Sequence, residues 1–434
     1  MRVTIQPSFL HGTAHAIPSK ACAHRALIAA ALSEKPTMIS HLGSSDDVRA
    51  TDRCLHVLAE TLGIVTAEGQ RVHGLAEMAV DSARVARLDC GESGSTLRFL
   101  MPVVAALGIT AEFNGHGRLP ARPMGILLDL LESHGISIEN RETMPWKIRG
   151  QLLPGLYSLP GNVSSQYVTG LLFALPLLDE DSEIRLGSPL ESAGYVDLTI
   201  ATLEAFSIRI ERTENGFRIP GGQSYETPGE MTIEGDWSAA AFWLAAGALG
   251  SNIAVKGLHL PSGQCDRAIL AHLTFFGAPS NYDDGRVAVF HKDLRRCVID
   301  ISQNPDLMPV LSIVAAAAKG TTRIENAGRL RLKESDRLAV MAEIVRGLGA
   351  TAKIDGDTLS IHGTGGKPFH GGHFDAHGDH RVAMALAIAA TVAGSPVVID
   401  GAETIAKSDP GFWDTYESLR LSPIVREETP LSNP

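Results

Sequence analysis

One kind of apolar segment recurs six times along the chain. In each copy, a small polar or acidic residue is followed by about a dozen residues whose apolar side chains cover nearly every face of a helix. Successive copies start 70 to 75 residues apart. The pattern predicts six helices that are buried on all sides, with starts at Ser19, Gly94, Ser164, Asp236, Asp306 and Asp379.

A second, more amphipathic segment follows each buried one, and short β-type runs separate the helices. Glycine, proline, asparagine or aspartate bounds most of these runs, as is typical of strands that end in turns. The predicted unit is therefore mixed α and β. Amphipathic helices are predicted over 46–62, 122–134, 194–206, 266–276, 333–348 and 412–419, and strands over 3–6, 136–139, 208–211, 253–255, 352–354 and 396–399.

Six such units account for the whole chain of 434 residues. Three of them make ~215 residues, a normal upper size for one domain. We therefore predict two pseudo-symmetric lobes of three α/β units each, with a crossing point between Tyr225 and Asp236. A solenoid of six repeats is the alternative, although solenoid repeats usually span ~20 to 50 residues.

The composition is that of a folded protein, with 44% apolar and 20% charged residues. A net charge of −11 disfavours binding to nucleic acid or to anionic membrane surfaces. No apolar run approaches the ~20 residues that span a bilayer, and the first residues lack the apolar stretch of a signal peptide. We expect a cytoplasmic protein with no membrane partner.

The sequence indicates neither a disulfide framework nor a metal site. Its five cysteines are scattered and form no CxxC pair. The histidine-rich stretch from His370 to His380 fits no standard zinc spacing. Cys22 lies near the first helix start, but without an evident histidine partner we favour packing over a nucleophilic role. We expect no metal and no cofactor.

The starts of the buried helices are rich in cationic and hydroxyl side chains. A first helical turn presents unpaired backbone N–H groups and the positive end of the helix dipole, which attract anions. For any one arginine or lysine among them, pairing with a surface carboxylate is the alternative to ligand binding. The whole set nevertheless favours a polyanionic ligand, and it comprises Lys20, Arg25, Arg98, Arg122, Ser164, Ser165, Gln166, Arg331, Lys333, Arg337, Arg381 and Lys407.

Two short motifs support this hypothesis. LKESDR at 332–337 packs acidic and basic side chains together, although alone it is also typical of a capping turn with i, i+3 ion pairs. GNVSSQ at 161–166 places hydroxyl and amide groups ahead of an apolar helix, where they suit phosphate binding or simple N-capping. Taken together with the cations at the other helix starts, both motifs favour an anion-binding site.

At these motifs the sequence resembles the enolpyruvyl transferase family, and within it the branch whose acceptor is shikimate 3-phosphate. The resemblance runs from the first residues to about Lys407. It rests on nine ordered motifs: PSKACAHRAL at 18–27, DCGESGSTLRF at 89–99, LPARPM at 119–124, SSQ at 164–166, SAGY at 192–195, EGD at 234–236, LRLKESDR at 330–337, DHR at 379–381 and AK at 406–407.

The resemblance implies an α/β fold of two pseudo-symmetric lobes, each of three repeated units with buried parallel helices, described as an inside-out α/β barrel. The expected lobes are 19–235, mainly on the shikimate 3-phosphate side, and 1–18 plus 236–434, which completes the phosphoenolpyruvate site. The implied reaction transfers the enolpyruvyl group of phosphoenolpyruvate to the 5-hydroxyl of shikimate 3-phosphate by addition and elimination, releasing phosphate, in chorismate and aromatic amino acid biosynthesis. A monomer is expected.

The resemblance also implies residue roles. Asp306 and Glu334 are the expected acid–base pair, with Asp306 facing the hydroxyl, Glu334 facing the methylene carbon and Lys20 assisting. The residues expected to hold phosphoenolpyruvate are Lys20, Gly94, Arg122, Arg337, Arg381 and Lys407. Those expected to hold shikimate 3-phosphate are Arg25, Ser164, Ser165, Gln166, Ser192, Tyr195, Asp306 and Lys333.

Two positions depart from the family pattern. Ala21 stands where the family usually has serine, so that one hydroxyl contact to shikimate 3-phosphate is missing. Glu92 stands in place of the usual asparagine, which puts a carboxylate near an anionic ligand. We expect this carboxylate to turn away from the ligand or to pair with a cation such as Arg98.

Two other functions remain as alternatives. The UDP-N-acetylglucosamine enolpyruvyl transferases commonly carry a catalytic cysteine before the Arg-Pro motif, whereas residues 113–122 here contain none. A non-catalytic anion-binding protein of the same fold is favoured only by Ala21. Lys20, Asp306 and Glu334 are all present and argue against it.

Overall fold

The structure of the protein is a computed structural model that describes residues 1–64, 71–78, 84–421 and 423–427. The chain divides into two compact units. Unit 1 consists of Met1–Ile17 and Glu234–Pro434, and unit 2 consists of Pro18–Ile233. In the described part of the chain, no helix is both long and apolar enough to cross a membrane.

Twelve α-helices lie in the described residues, six in each unit. Unit 2 contains α1 (Lys20–Leu32), α2 (Asp46–Leu62), α3 (Gly94–Ala106), α4 (Gly125–Ser133), α5 (Ser165–Ala174) and α6 (Ala193–Ala205). Unit 1 contains α7 (Trp237–Ala248), α8 (Ile269–Phe276), α9 (Met308–Ala317), α10 (Arg337–Gly347), α11 (His380–Ala390) and α12 (Phe412–Ser418).

The strands are short, with three to five residues each. In chain order they are β1 (Arg2–Ile5), β2 (His11–His15), β3 (Met38–Ser40), β4 (Ala86–Asp89), β5 (Ala111–Asn114), β6 (Ser137–Glu139), β7 (Trp146–Arg149), β8 (Leu156–Leu159), β9 (Ser182–Leu186), β10 (Glu211–Thr213), β11 (Gly216–Ile219), β12 (Glu230–Thr232), β13 (Asn252–Lys256), β14 (Ser280–Asp283), β15 (Arg286–Val289), β16 (Val298–Asp300), β17 (Thr321–Glu325), β18 (Thr351–Asp355), β19 (Thr358–His362), β20 (Gly372–Asp375), β21 (Val397–Asp400) and β22 (Val425–Glu427).

One supersecondary unit repeats in both halves of the chain. A strand leads into a buried helix, a second strand pairs parallel with the first, and an amphipathic helix then leads to a hairpin. The four strands form a sheet whose order is first, second, fourth and third, as in β4-β5-β7-β6 and β8-β9-β11-β10 of unit 2 and β16-β17-β19-β18 of unit 1. The predicted mixed α/β repeat is therefore confirmed.

The N-terminal segment completes two sheets of unit 1. Strand β1 lies between β21 and β22 and is antiparallel to both. Strand β2 pairs parallel with β13 over all five residues of each strand. Residues at the start of the chain are thus tied by backbone hydrogen bonds to residues more than 200 positions away, which joins both segments of unit 1.

The buried helices form the cores of the two units, as their all-round apolar sequences predict. Helices α1, α3 and α5 lie in the core of unit 2, and α7, α9 and α11 lie in the core of unit 1. Helices α3 and α5 approach so closely that a Cβ on Gly170 would lie 2.2 Å from the carbonyl oxygen of Arg98. Only glycine fits that contact, which also brings Arg98 near the start of α5.

Several predicted boundaries differ from the structure. Helix α2 has the predicted bounds, but α4 begins at Gly125, not at 122, and Arg122 is extended, as is typical of a residue before proline. Helix α10 begins at Arg337, not at 333, because the side chain of Asp336 accepts a hydrogen bond from the amide of Ala339 and caps the helix there. The strand predicted over 208–211 is wrong except for its last residue, since β10 begins at Glu211.

Candidate functional site

Hydroxyl or carboxylate side chains cap five of the six buried helices. Ser19, Ser93 and Ser164 cap α1, α3 and α5, and Asp236 and Asp379 cap α7 and α11. Each cap accepts a hydrogen bond from one backbone amide of the first turn. The other amides of these turns point the same way, so each helix start keeps a positive end for an anion.

Lys20, the first residue of α1, forms an ion pair with a carboxylate of α2. Its Nζ lies 2.8 Å from Oδ2 of Asp47, and the side chains are 19% and 9% exposed. Sequence reasoning missed Asp47. Its only signal was its place in the first turn of an amphipathic helix, where an acidic residue ordinarily serves the helix dipole.

Gly94 leaves room for two guanidinium groups at the start of α3. A Cβ there would lie 2.6 Å from Nη1 of Arg122 and 3.1 Å from Nη1 of Arg98. A side chain larger than hydrogen must therefore displace at least one arginine. The guanidinium groups of Arg98 and Arg122 thus lie close to the backbone at Gly94.

Arg98 holds the side chain of Gln166 in place. Its Nη1 donates to Oε1 of Gln166 at 2.7 Å, and its Nη2 donates to the carbonyl oxygen of Pro123 at 3.1 Å. Gln166 in turn donates through Nε2 to Oγ of Ser95 at 2.8 Å. These bonds fix the amide of Gln166 between α3 and α5.

Arg25 is 3% exposed and joins α1 to α6. Its Nε donates to Oγ1 of Thr199 at 2.9 Å, while its two terminal nitrogens donate to the carbonyl oxygens of Ala21 and Tyr195 at 2.6 and 2.8 Å. The backbone at Ala21, where the family pattern has serine, is therefore held by Arg25. Tyr195 contributes its carbonyl oxygen to the same network.

Three serines that were predicted to contact phosphate lie at the starts of α5 and α6. Ser164 caps α5, Ser165 is its first residue, and Ser192 immediately precedes α6. Ser192 is 3% exposed and has the left-handed backbone conformation, with φ +55°. A non-glycine residue in that conformation stores ~1–3 kcal/mol of strain, which is typical of functional positions.

Glu92, the second departure from the family pattern, lies against the 116–117 turn. Its Oε1 is 3.7 Å from Nδ1 of His116. A Cβ on Gly117 would lie 2.1 Å from the same oxygen, so the turn and the carboxylate are in close contact. The Glu92 carboxylate is thus held by the loop that leads to Arg122.

In unit 1, one buried guanidinium is shared by three carboxylates. Arg337 is 1% exposed, and its Nε and Nη2 donate to the two oxygens of Asp379 at 2.7 and 3.2 Å. Its Nη2 also donates to Oε2 of Glu334 and its Nη1 to Oδ1 of Asp306, at 2.7 and 2.8 Å. Burial alone lowers the pKa of Arg337, but the three carboxylates outweigh it and hold that pKa above its usual value.

Asp306 lies among three cations. Its Oδ2 is 3.0 Å from Nη2 of Arg381, and its Oδ1 is 3.6 Å from Nζ of Lys333 and 2.8 Å from Nη1 of Arg337. Burial raises the pKa of Asp306, but these three charges outweigh it and hold the pKa well below its usual range. The carboxylate is therefore ionised at neutral pH.

The pKa of Lys333 is also lowered, which in a lysine favours the neutral form. Burial lowers the pKa of its ammonium group to about 8, with Arg337 adding to the effect and Asp306 opposing it. Arg381 is 7% exposed at the start of α11, and Lys407 is 9% exposed at the end of the short helix Ala402–Lys407. The structure thus brings Asp306, Lys333, Glu334, Arg337 and Arg381 into one cluster in unit 1.

Sequence reasoning also missed Asp266, which is 1% exposed. Burial raises its pKa to about 6, the nearby charge of Asp306 adds to this, and Arg381 opposes it. The hydroxyl of Ser238 donates to its Oδ2. No sequence signal separated Asp266 from an ordinary first-turn carboxylate. Within the described ranges, no group of three or more His, Cys, Asp or Glu residues is arranged to hold a metal ion.

The shared guanidinium of Arg337 predicts a large loss of stability for Asp379→Asn. An amide has no charge to compensate Arg337 and cannot accept all the hydrogen bonds that Asp379 accepts. We expect the free energy of unfolding in urea to fall by about 3 kcal/mol. Asp181→Asn, which breaks the exposed ion pair with Arg218, is the control and should cause a much smaller loss. Equal losses of unfolding free energy in the two variants would contradict the claim that Arg337 depends on its buried carboxylates.

Known proteins resemble this chain over nearly its full length. The sequence model of the family described as EPSP synthase (3-phosphoshikimate 1-carboxyvinyltransferase) matches residues 5–416. The 3-phosphoshikimate 1-carboxyvinyltransferase of Clostridium kluyveri is 41% identical over 422 residues, covering 96% of this chain and 97% of that protein. The protein of the same name from Brachyspira hyodysenteriae is 39% identical, covering 96% and 99%.

Solved structures show the same fold. An EPSP synthase from Acinetobacter baumannii matches with a TM-score of 0.78 at 24% identity, covering 98% of this chain and all of that one. The enolpyruvyl transferase NikO from Streptomyces tendae matches with a TM-score of 0.75 at 18% identity, covering 99% of each chain. These likenesses confirm the predicted fold class. The sequence matches show that the chain belongs to the EPSP synthase family.

Proposed function

We propose that the protein transfers the enolpyruvyl group of phosphoenolpyruvate to the 5-hydroxyl of shikimate 3-phosphate and releases phosphate, a step in chorismate and aromatic amino acid biosynthesis. The observation that carries this proposal is the partly buried cluster of Asp306, Glu334, Lys333, Arg337 and Arg381 in a member of the EPSP synthase family. It combines two carboxylates, of which Asp306 is ionised, with the cations that two anionic substrates require. A cytoplasmic monomer is part of the same proposal.

The reaction has two chemical requirements. In the addition step, the 5-hydroxyl oxygen attacks the central carbon of phosphoenolpyruvate, loses its proton to a base, and the methylene carbon gains a proton from an acid. In the elimination step, that carbon returns a proton and the phosphate leaves with its bonding electrons. Cations must hold phosphate and carboxylate groups through both steps.

In this proposal, Asp306 takes the hydroxyl proton, Glu334 serves the methylene carbon and Lys20 assists. The ionised state of Asp306 suits a base, but its low pKa makes it a weak one in the unliganded protein. Anionic substrates that bind Lys333, Arg337 and Arg381 neutralise the charges that lower this pKa. Substrate binding therefore strengthens the base at the moment it is needed.

The phosphoenolpyruvate ligands in this proposal are cations and one close approach of the backbone. Arg122 and the backbone at Gly94 act together in this proposal. Their closeness supports it, since a Cβ on Gly94 would lie only 2.6 Å from Nη1 of Arg122. Lys20 adds a compact charge whose position is set by Asp47. The other members of this set are Arg337, Arg381 and Lys407.

The shikimate 3-phosphate ligands in this proposal are mainly residues of unit 2. Ser164, Ser165 and Ser192 offer hydroxyls at two helix starts, which suits the 3-phosphate. Arg25 serves the carboxylate in this proposal, and three protein oxygens hold its guanidinium group in place. The other members of the set are Gln166, Tyr195, Lys333 and Asp306.

The direct test is phosphate release by the purified protein. We expect release only when phosphoenolpyruvate and shikimate 3-phosphate are both present, because the phosphate leaves from the adduct of the two. Release with UDP-N-acetylglucosamine as the acceptor would instead identify the other enolpyruvyl transferase activity. If the protein binds phosphate but releases none with either acceptor, the result would favour a non-catalytic anion-binding protein.

The pKa of Lys333 predicts a pH dependence. A lysine whose pKa is lowered to about 8 is a cation below that pH and neutral above it, so kcat/KM for shikimate 3-phosphate should fall as the pH rises through about 8. In Lys333→Arg the charge persists, because the pKa of arginine exceeds ~12, and the fall should move to higher pH.

Lys353→Arg, at an exposed position on β18, is the control and should leave the pH profile as in the wild type. An unchanged profile in Lys333→Arg would remove Lys333 from phosphate binding.

A further inference from the structure

Four buried polar side chains form a continuous hydrogen-bonded chain behind the starts of α1, α2 and α3. Nδ1 of His24 lies 2.7 Å from Oγ1 of Thr51, which lies 2.7 Å from Oγ1 of Thr96, which lies 2.8 Å from Oγ of Ser93. Each of these residues is at most 1% exposed. We refer to His24, Thr51, Thr96 and Ser93 as the polar chain.

The polar chain ends at the backbone of residues with proposed roles in the site. Oγ1 of Thr96 lies 3.4 Å from the carbonyl oxygen of Asp47, the partner of Lys20. Ser93 caps α3 by accepting from the amide of Thr96, and α3 begins at the next residue, Gly94. One set of hydrogen bonds thus connects the Lys20–Asp47 pair with the backbone at Gly94.

Hydrophobic packing does not account for these bonds. His24 sits in an apolar core, edge-on to the ring of Phe99 at 6.3 Å, where a leucine or phenylalanine would need no partner. In the described part of the chain, its Nε2 has no hydrogen-bond partner, so Thr51 supplies the hydrogen bond of the ring. Burial lowers the pKa of His24 to about 3, so the ring is neutral.

A neutral ring with one unpartnered nitrogen has a desolvation cost that an apolar residue would avoid. The hydrogen bonds of the polar chain fix the positions of its side chains, because the hydroxyl of Thr51 must contact both the His24 ring and the hydroxyl of Thr96. Three helices are held at fixed relative positions in this way. Lys20, Asp47 and Gly94 lie on or beside their first turns.

We propose that His24, Thr51, Thr96 and Ser93 are positioning residues that hold the Lys20–Asp47 pair and the backbone at Gly94 in register for phosphoenolpyruvate. The polar chain touches neither substrate. It acts on one substrate selectively, because α5 and α6, which carry the proposed serine ligands of shikimate 3-phosphate, contribute no member to it. Arg25, the proposed ligand of that substrate on α1, is held instead by Thr199 and by the carbonyl oxygens of Ala21 and Tyr195. This inference rests on the proposed function.

Thr51→Val tests the proposal, because valine keeps the shape of the side chain and removes the central hydroxyl of the polar chain. We expect KM for phosphoenolpyruvate to rise at least ~5-fold while KM for shikimate 3-phosphate stays within ~2-fold. Thr51→Ser restores the hydroxyl and should return KM for phosphoenolpyruvate to within ~2-fold of wild type. A purely structural role would not produce this split or this rescue.

Thr61→Val is the matched control. It makes the same substitution on α2, but the Thr61 hydroxyl donates only to the carbonyl oxygen of Val57 in its own helix among the described contacts. Both KM values should stay at wild type. His24→Leu removes the other end of the same hydrogen bond and should reproduce the split, so the test does not depend on the folding of one variant.

Two results would overturn the proposal. One is a normal KM for phosphoenolpyruvate in a folded Thr51→Val or His24→Leu protein, even if its urea midpoint is lower. The other is an equal rise of both KM values. Both are read against a wild-type protein that releases phosphate with both substrates, whereas an inactive wild type would refute the proposed function instead.

Discussion

The placement of Arg337 inside unit 1 is the constraint on which the rest of the site depends. A guanidinium that is 1% exposed is stable only if carboxylates surround it, and Asp379, Glu334 and Asp306 do so at 2.7 to 3.2 Å. Asp379 is also the cap of α11, so the fold and the cluster share one carboxylate. Arg337 thereby orients the other two carboxylates, those of Glu334 and Asp306, for their proposed parts in proton transfer.

The repeated βαβαββ unit supplies such groups at regular intervals. Five of the six buried helices have a serine or aspartate cap because their first amides need partners, and such a cap satisfies only one of them. In unit 2 these starts carry Lys20, Gly94 and Ser165, and in unit 1 one carries Arg381. A net charge of −11 for the chain is compatible with cationic sites because the cations concentrate at helix starts and in the loops nearby.

Much of the fold could be predicted from the sequence, because burial on all faces leaves a strong local pattern. The buried helices follow from it, and the amphipathic pattern gives the bounds of α2. The start of α10, in contrast, depends on a single capping bond of Asp336. The partners within the site could not be predicted. Asp47 pairs with Lys20 across 27 positions and Asp306 with Arg381 across 75, and neither carboxylate differs locally from an ordinary helix-start residue. Residues such as Thr51, which act through hydrogen bonds between helices, leave no sequence pattern at all.

The most direct test of the central claim is kcat of Asp306→Asn with both substrates saturating. Asparagine keeps the shape of the side chain but cannot accept the hydroxyl proton, so kcat should fall at least ~10²-fold. Asp300→Asn, a change of the same kind at the end of β16, should stay within ~2-fold of wild type. A kcat for Asp306→Asn close to that of Asp300→Asn would contradict the account, because the carboxylate that three cations surround would then have no part in the chemistry.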